Sequence, residues 1–411
     1  MPVTNWAGSV TFGAAAVHRP GSLDALRRLV AARRSIHALG SGHSFSLVAD
    51  APQDLVRLDA LPPVFALDEA RREVTVGAGM RYADVAAELH RAGWALGNLA
   101  SLPHISVGGS VATGTHGSGD AQRCLAAAVT GLELVGPDGT LSTLRREEDD
   151  IFPGAVVALG ALGIVTRLTL AVEPAFDMAQ RVHLDVPVDE VIESFDAISG
   201  AAYSVSVFTD WHRPHAMVWL KRRLSMPGSG WCGGRVATAA VHPVEGVPPS
   251  FSTEQLDVSG PWHERLPHFR PELTPGAGEE LQSEFFVPRT QAPAAFAALR
   301  ALGARLAPVL QIAEVRTVRA DDLWLSGAYG RDTVTLHFTW VKDWPAVLPV
   351  LSEVERHLAP FDARPHWGKL TTDAPSALLA RYPHGAQFAR LAAKLDPDGK
   401  FRNPFLDALL S

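Results

Sequence analysis

The chain is poor in the features that announce several protein classes. It holds only 2 cysteines in 411 residues, Cys124 and Cys232, too few and too far apart for a disulfide framework or a clustered zinc site. No lysine/arginine block stands interleaved with aromatics, and the formal charge is -7, so nothing resembles a nucleic-acid footprint. No run approaches ~20 uncharged apolar residues, which argues against a spanning helix. The opening residues MPVTNWAGSVTFG lack the basic-then-apolar order of a signal peptide. Repeats and low-complexity tracts are absent as well. An intracellular, cytoplasmic protein without nucleic-acid or membrane partners is the expectation.

What is present is a globular composition, 47% hydrophobic and 20% charged. The length favours two domains. Ser22 can cap a helix over LDALRRLVAARR, with Asp24 in the first turn and Arg33 and Arg34 in the last. Leu23, Leu26, Leu29 and Val30 form its apolar stripe. IHAL, LVRLD, FALDEA and EVTVGAG are short strand candidates. Tyr82 to Arg91 reads as a second helix, closed by Gly93. VTGLELVGPDGTLSTL reads as a hairpin about Asp138-Gly139, and GIVTRLTLAVEP as a further strand. Beyond about Pro174 the strands lengthen: AAYSVSVFTD, AMVWLKR, LQSEFFVP and VTLHFTWV. Helices are expected near VDEVIESFDAI, QAPAAFAALRALGA and Gln387–Lys394. Residues 227–278 read as long surface loops.

Two stretches stand apart. HALGSGHSFS, residues 37–46, nearly spells a G-x-S-x-G elbow, but the final glycine is missing. It and GAGMRY also lack the third glycine of G-x-G-x-x-G, and no Walker A lysine occurs. The second stretch, Asn98 to Asp120, carries no long charged side chain and five glycines. Such a segment suits a backbone pressed against something large.

Polar candidates occur in the second half. HERLPH, residues 263–268, has its histidines five apart rather than four, so an ordinary loop is the expectation there. In QIAEVRTV, Glu314 and Arg316 share a strand face with Ile312 and Val318. That pair is either a solvent-facing ion pair or part of a pocket in which Arg316 holds negative charge. His337 and Thr339 share a face in TLHFTW, with Phe338 opposite. PHWGKL adds Lys369 beside Gly368.

Taken in order, LGSGHS, SLPHISVGGSVATGTHGSG, EVRTV, HFTW, RPHWGK and DPDGKFRNPFL resemble the flavin-dependent alditol oxidases of the vanillyl-alcohol-oxidase-type superfamily. The resemblance implies an α+β, two-domain PCMH-type FAD-binding fold with an α+β substrate (cap) domain. Its FAD domain would span 1–175, the substrate domain 176–375, and the tail 376–411 would return to the first. It implies FAD attached covalently through His43. Ala38, Leu39, Gly40, Ser41, Gly42 and Ser44 would flank the cofactor, with Ser106, Gly109, Thr113, Gly114, Thr115, His116 and Val165. A polyol site of Ser101, Glu314, Arg316, Thr339 and Lys369, with His337 near it, is implied too. The implied reaction oxidises the terminal hydroxyl of an acyclic polyol such as xylitol or sorbitol to the aldose. A hydride passes to FAD, and dioxygen is reduced to hydrogen peroxide. A monomer fits the family. Sugar-1,4-lactone oxidases and dehydrogenases of the same superfamily are the alternative; Glu314, Arg316 and Thr339 together favour polyols. His37 is read as structural.

Overall fold

A computed structural model describes residues 3–227, 230–271 and 279–411. Of the expected 227–278 loops, residues 228–229 and 272–278 therefore lie outside the described residues. The first part of the chain builds three small sheets, one of them only the antiparallel pair Trp94–Ala95 with Glu173–Pro174. A second is parallel, with Asp54–Val56 between Ala16–His18 and His37–Ala38. The third is a five-stranded antiparallel sheet in the order Phe65–Asp68, Glu73–Gly77, Ile164–Ala171, Val129–Val135, Leu141–Arg145. In Ile164–Ala171, positions 164, 166, 168 and 170 are buried and their neighbours are half-buried or exposed, the period-2 pattern of a strand with one covered face. The helix Leu23–Ala32 starts where Ser22 Oγ accepts from the Ala25 amide at 3.2 Å. It stops two residues short of the expected end: Arg33 is already extended, so neither arginine lies in the last turn. The helix Tyr82–Arg91 buries Tyr82, Val85, Ala86 and Leu89 and is followed by Gly93 at φ +82.

The second part is dominated by a nine-stranded sheet. Its order is Arg235–Val236, Asp177–Pro187, His215–Arg223, Ser204–Thr209, Leu310–Val318, Thr333–Val341, Glu280–Pro288, Arg364–Pro365, with Gly260–Pro261 also on Asp177–Pro187. One face carries Val207, Val315, Leu336 and Phe338 into a core shared with Phe195, Phe296, Leu351 and Val354 from the covering helices. The alternate positions, Glu314, Arg316, His337 and Thr339, are thereby forced to the other face. Sheet register then aligns them: Glu314 lies opposite His337, and Ser206 opposite Arg316.

Two elements fall outside the sequence expectations. The strand Asp177–Pro187 buries Gln180 and His183, polar residues that mask a strand pattern. Backbone carbonyls of neighbouring loops accept from them. The helix Trp344–Leu358 contains Pro349, which reads as a break. Pro349 sits in its second turn, and Asp343 caps the start by accepting from Ala346 N at 3.2 Å. The expected helix at VDEVIESFDAI is two short ones, Val188–Glu193 and Phe195–Ser199, parted at Ser194.

After the last cap strand the chain returns. Leu378, Tyr382, Phe388, Leu391, Leu406 and Leu409 enter the core that holds Val85, Leu89 and Leu168. Asn403 Nδ2 donates to the carbonyls of Val48 and Asp50 at 3.0 and 2.6 Å. His37 Nδ1 donates to Phe401 O at 2.8 Å, a tie between the first sheet and the tail. Among the described residues no helix is long and apolar enough to cross a membrane.

Candidate active site

One continuous cavity runs from the 38–44 turn to the polar face of the large sheet. Every residue assigned to the cofactor or the polyol lines it except Gly114, which at φ +69 turns the chain between Thr113 and Thr115.

The first end is built from backbone. Gly42 adopts φ +74, and a Cβ on Gly40 would lie 2.4 Å from Ser106 Oγ and 3.4 Å from Gly109 Cα. The turn and the 106–112 segment are latched reciprocally. Ser41 N donates to Ser106 Oγ at 3.2 Å, and Ser106 N to Ser41 Oγ at 3.1 Å. The flanking amides are used, Leu39 to Val56 O and Phe45 to Gly368 O. The amides of Gly40, Gly42, His43 and Ser44 bond to no acceptor among the described residues. Such a row of backbone donors beside Arg57 and Arg81 is chemically suited to an anionic group such as a pyrophosphate. These residues fit FAD.

His43 stands at the junction. Its Nδ1 is 3.2 Å from Ser41 Oγ and its Nε2 is 2.8 Å from His104 Nε2. Trp6 stacks on its ring with centroids 5.3 Å apart. Burial pushes the imidazole down to about 3, and His104 adds to the effect. A neutral ring keeps one nitrogen lone pair available for bonding.

The second end is built from side chains. Glu314 and Arg316 are both buried, so the solvent-facing reading of this pair is overturned. Strands Ser204–Thr209 and Thr333–Val341 flank theirs, and the 265–269 segment packs on Glu314 through His268. Arg316 Nη2 donates to Glu284 Oε1 at 2.6 Å, its Nη1 to Ser101 Oγ at 3.3 Å, and its Nε lies 3.5 Å from Glu314 Oε1. Glu284 also meets His116 Nε2 at 3.1 Å and His337 Nδ1 at 3.5 Å. Lys369 Nζ donates to Gln282 Oε1. Burial alone would raise the carboxyls of Glu284 and Glu314. The Arg316 guanidinium overcomes this and holds both well below the usual carboxylate range, with His116 helping at Glu284 and His268 at Glu314. Burial lowers Lys369 to about 8, with Glu284 opposing the fall.

Sequence reading missed Gln282 and Glu284. They sit two apart in a strand read as LQSEFFVP, and the same alternation rule that drew attention to Glu314 and Arg316 applies to them. It missed His104, hidden in an otherwise uncharged stretch. His268 was missed because HERLPH was read as a loop. In the structure Trp262–Arg265 is a short helix, and buried His268 Nε2 reaches Glu314 Oε1 at 2.7 Å.

Comparison with known proteins agrees with this architecture. A family model described as an FAD binding domain matches residues 14–145, and one described as D-arabinono-1,4-lactone oxidase matches residues 279–409. The crystal structure of cholesterol oxidase from B. sterolicum superposes with a TM-score of 0.81 at 15% identity, covering 100% of this chain and 96% of that one. Fold and cavity thus define a two-domain vanillyl-alcohol-oxidase, PCMH-type flavoprotein with an α+β cap. An alditol oxidase from a Streptomyces species is 51% identical over 414 residues, covering 99% of each chain. An L-gulono-1,4-lactone dehydrogenase from Mycobacterium tuberculosis is 27% identical over 99% of this chain and 98% of its own. The chain belongs to the alditol oxidase family of FAD-dependent oxidoreductases.

Proposed function

We propose that this protein oxidises the terminal hydroxyl of an acyclic polyol, such as xylitol or sorbitol, to the aldose, with dioxygen as the acceptor and hydrogen peroxide as the co-product. The observation that carries the reading is a set of hydrogen-bonding groups, buried Glu314, Arg316 and Thr339 with half-buried Ser101 and Lys369, on the wall of the cavity that also contains His43. A site built to bond hydroxyls leaves its own groups unpaired when a molecule lacks them, which gives selectivity for polyols. Bound FAD supplies the two-electron acceptor that dioxygen restores.

The chain's own residues divide the remaining work. The amides of Gly40, Gly42, His43 and Ser44 would cradle the pyrophosphate, while Ser106, Gly109, Thr113 to His116 and Val165 line or shape the rest of the cofactor channel. His43 would anchor the cofactor covalently through a ring nitrogen. Glu314 accepts hydrogen bonds from polyol hydroxyls, and Thr339 orients them. Arg316 and Lys369 stabilise negative charge developing on the reacting oxygen. His337, kept neutral by burial despite Glu284, is suited to take the hydroxyl proton. Glu314, held ionised beside Arg316, is the weaker base.

The chain's return supports reading 1–175 with 376–411 as the FAD-binding unit and 176–375 as the substrate-binding unit. A lactone-oxidising activity is the second reading, favoured by the family model matching residues 279–409. Purified protein incubated with a panel of polyols, sugar lactones and simple alcohols distinguishes the two by peroxide release. Turnover of lactones with none of polyols would overturn the proposal.

A further inference from the structure

The sequence motif HERLPH has no part in the reading above, yet it delivers a buried histidine to the back of the polyol site. His268 does not line the cavity. It approaches Glu314 from outside, with Nε2 at 2.7 Å from Glu314 Oε1 and 3.0 Å from Ser206 Oγ. Its backbone amide donates to Ser101 O at 3.1 Å, and the Phe269 amide to the same oxygen at 3.2 Å. One short segment thus holds two of the residues assigned to the polyol, one from each half of the molecule.

That segment is itself fixed from below. Lys221 is fully buried, and its ammonium donates to the carbonyls of Arg265 and Pro267 at 2.6 and 2.9 Å. Thr253 Oγ1 donates to Pro267 O at 2.7 Å, and Thr253 N to His268 O at 2.9 Å. A buried lysine spent on two carbonyls is a costly arrangement for an ordinary loop. Rings also frame His268: Trp219 lies 5.3 Å away and Phe208 5.7 Å, both edge-on.

We propose that His268 is a positioning residue for the polyol site: with its proton on Nε2 it donates to Glu314 Oε1, keeping Glu314 ionised and its other oxygen turned to the substrate. This deepens, and rests on, the reading of Glu314 as a polyol ligand. Lys221 and Thr253 set the position of the segment that carries it. The charged and titratable groups around Glu314 are Arg316 on its own strand, Lys221 from the 215–223 strand, His337 from the 333–341 strand, Glu284 from the 280–288 strand and Lys369 from the 364–369 turn. Of these only Arg316, together with His268 itself, has a donor within reach of Oε1.

The sign of the pH effect follows. A donor to the ionised carboxylate favours that form. Removing it raises the Glu314 pKa, so the acid limb of kcat/KM for polyols moves to higher pH.

The test uses purified holoenzyme with His268→Gln, His268→Asn and His268→Ala. A Gln amide nitrogen can take the place of Nε2, while Asn reaches only to about Nδ1. His268→Asn and His268→Ala are expected to raise KM for xylitol about tenfold or more and to shift the acid limb upward. His268→Gln should retain near-native KM and limb. If the alanine variant does not fold, the Gln/Asn pair carries the comparison. Equal KM values and equal acid limbs for Gln and Asn would overturn the proposal. A Glu314→Gln control separates the two readings. Unchanged polyol KM in that variant removes Glu314 from the site, whereas a raised KM there with a native His268→Asn profile removes only the role of His268.

Discussion

The two ends of the cavity are made by opposite means. At the His43 end the wall is backbone: glycines, small hydroxyls and unpaired amides, with hardly a charged side chain between Asn98 and Asp120. At the Glu314 end it is side chain: the cations Arg316 and Lys369, the carboxylates Glu280, Glu284 and Glu314, and the histidines His337 and His366. A backbone cradle tolerates close approach by a large ligand but cannot tune charge. A side-chain cluster tunes charge but must be held in register by neighbours. Glu284 joins the ends, since it touches His116 from the glycine-rich stretch and Arg316 and His337 from the sheet.

The sharpest break in this comparison is expected from His43→Ala, which should abolish covalent flavin altogether. Acid precipitation and absorbance of the pellet measure it, and yellow colour in the mutant pellet would contradict the assignment. At the other end, Arg316→Ala and Lys369→Ala should each slow anaerobic flavin reduction by xylitol about 100-fold or more, with the fold and the covalent flavin retained. The Lys369 contribution carries a pH signature. With its ammonium near 8, the reduction rate should fall as pH rises through that value, and Lys369→Ala should lose the limb. The same depression means that the folded state gains stability as pH rises from about 8 toward the unfolded lysine value near 10.4.

Severing the junction should act on both ends. Glu284→Gln takes from buried Arg316 the nearer of its two carboxylates, leaving Glu314 at 3.5 Å, at a cost of about 3 kcal/mol in a denaturant titration. A variant as stable as the parent would mean that the two ends are independent. The smallest effect is expected from crowding the cradle. A Cβ at Gly117 would sit 2.4 Å from Leu99 O, so Gly117→Ala should destabilise by about 1–3 kcal/mol in the same titration, and a parent-like midpoint would show that the stretch yields to the added methyl.

Much of the architecture could be read in the chain. Tyr82–Arg91 and the Asp138-Gly139 hairpin follow from local signals, because apolar period, capping and turn chemistry lie within a few residues. The polar cluster was only half legible. Glu314 and Arg316 were visible as a same-face pair, but whether that face met water or a cavity depended on distant segments such as that of Ser101, 215 residues from Arg316. Glu284 and Gln282 looked like ordinary positions in an apolar strand. His268 lay in a loop-like motif whose partner, Glu314, is 46 residues further on.

By itself the sequence determined the materials: a glycine-rich, charge-free cradle with a histidine in it, and sheet strands alternating apolar with polar residues. These are local properties, set by backbone freedom and side-chain period. Tertiary structure alone decided that the cradle and the polar face share one cavity, that Glu314 and Arg316 are buried, and that Glu284 and His268 stand behind them. Burial and long-range register belong to the packed sheet, and no short stretch of chain specifies them.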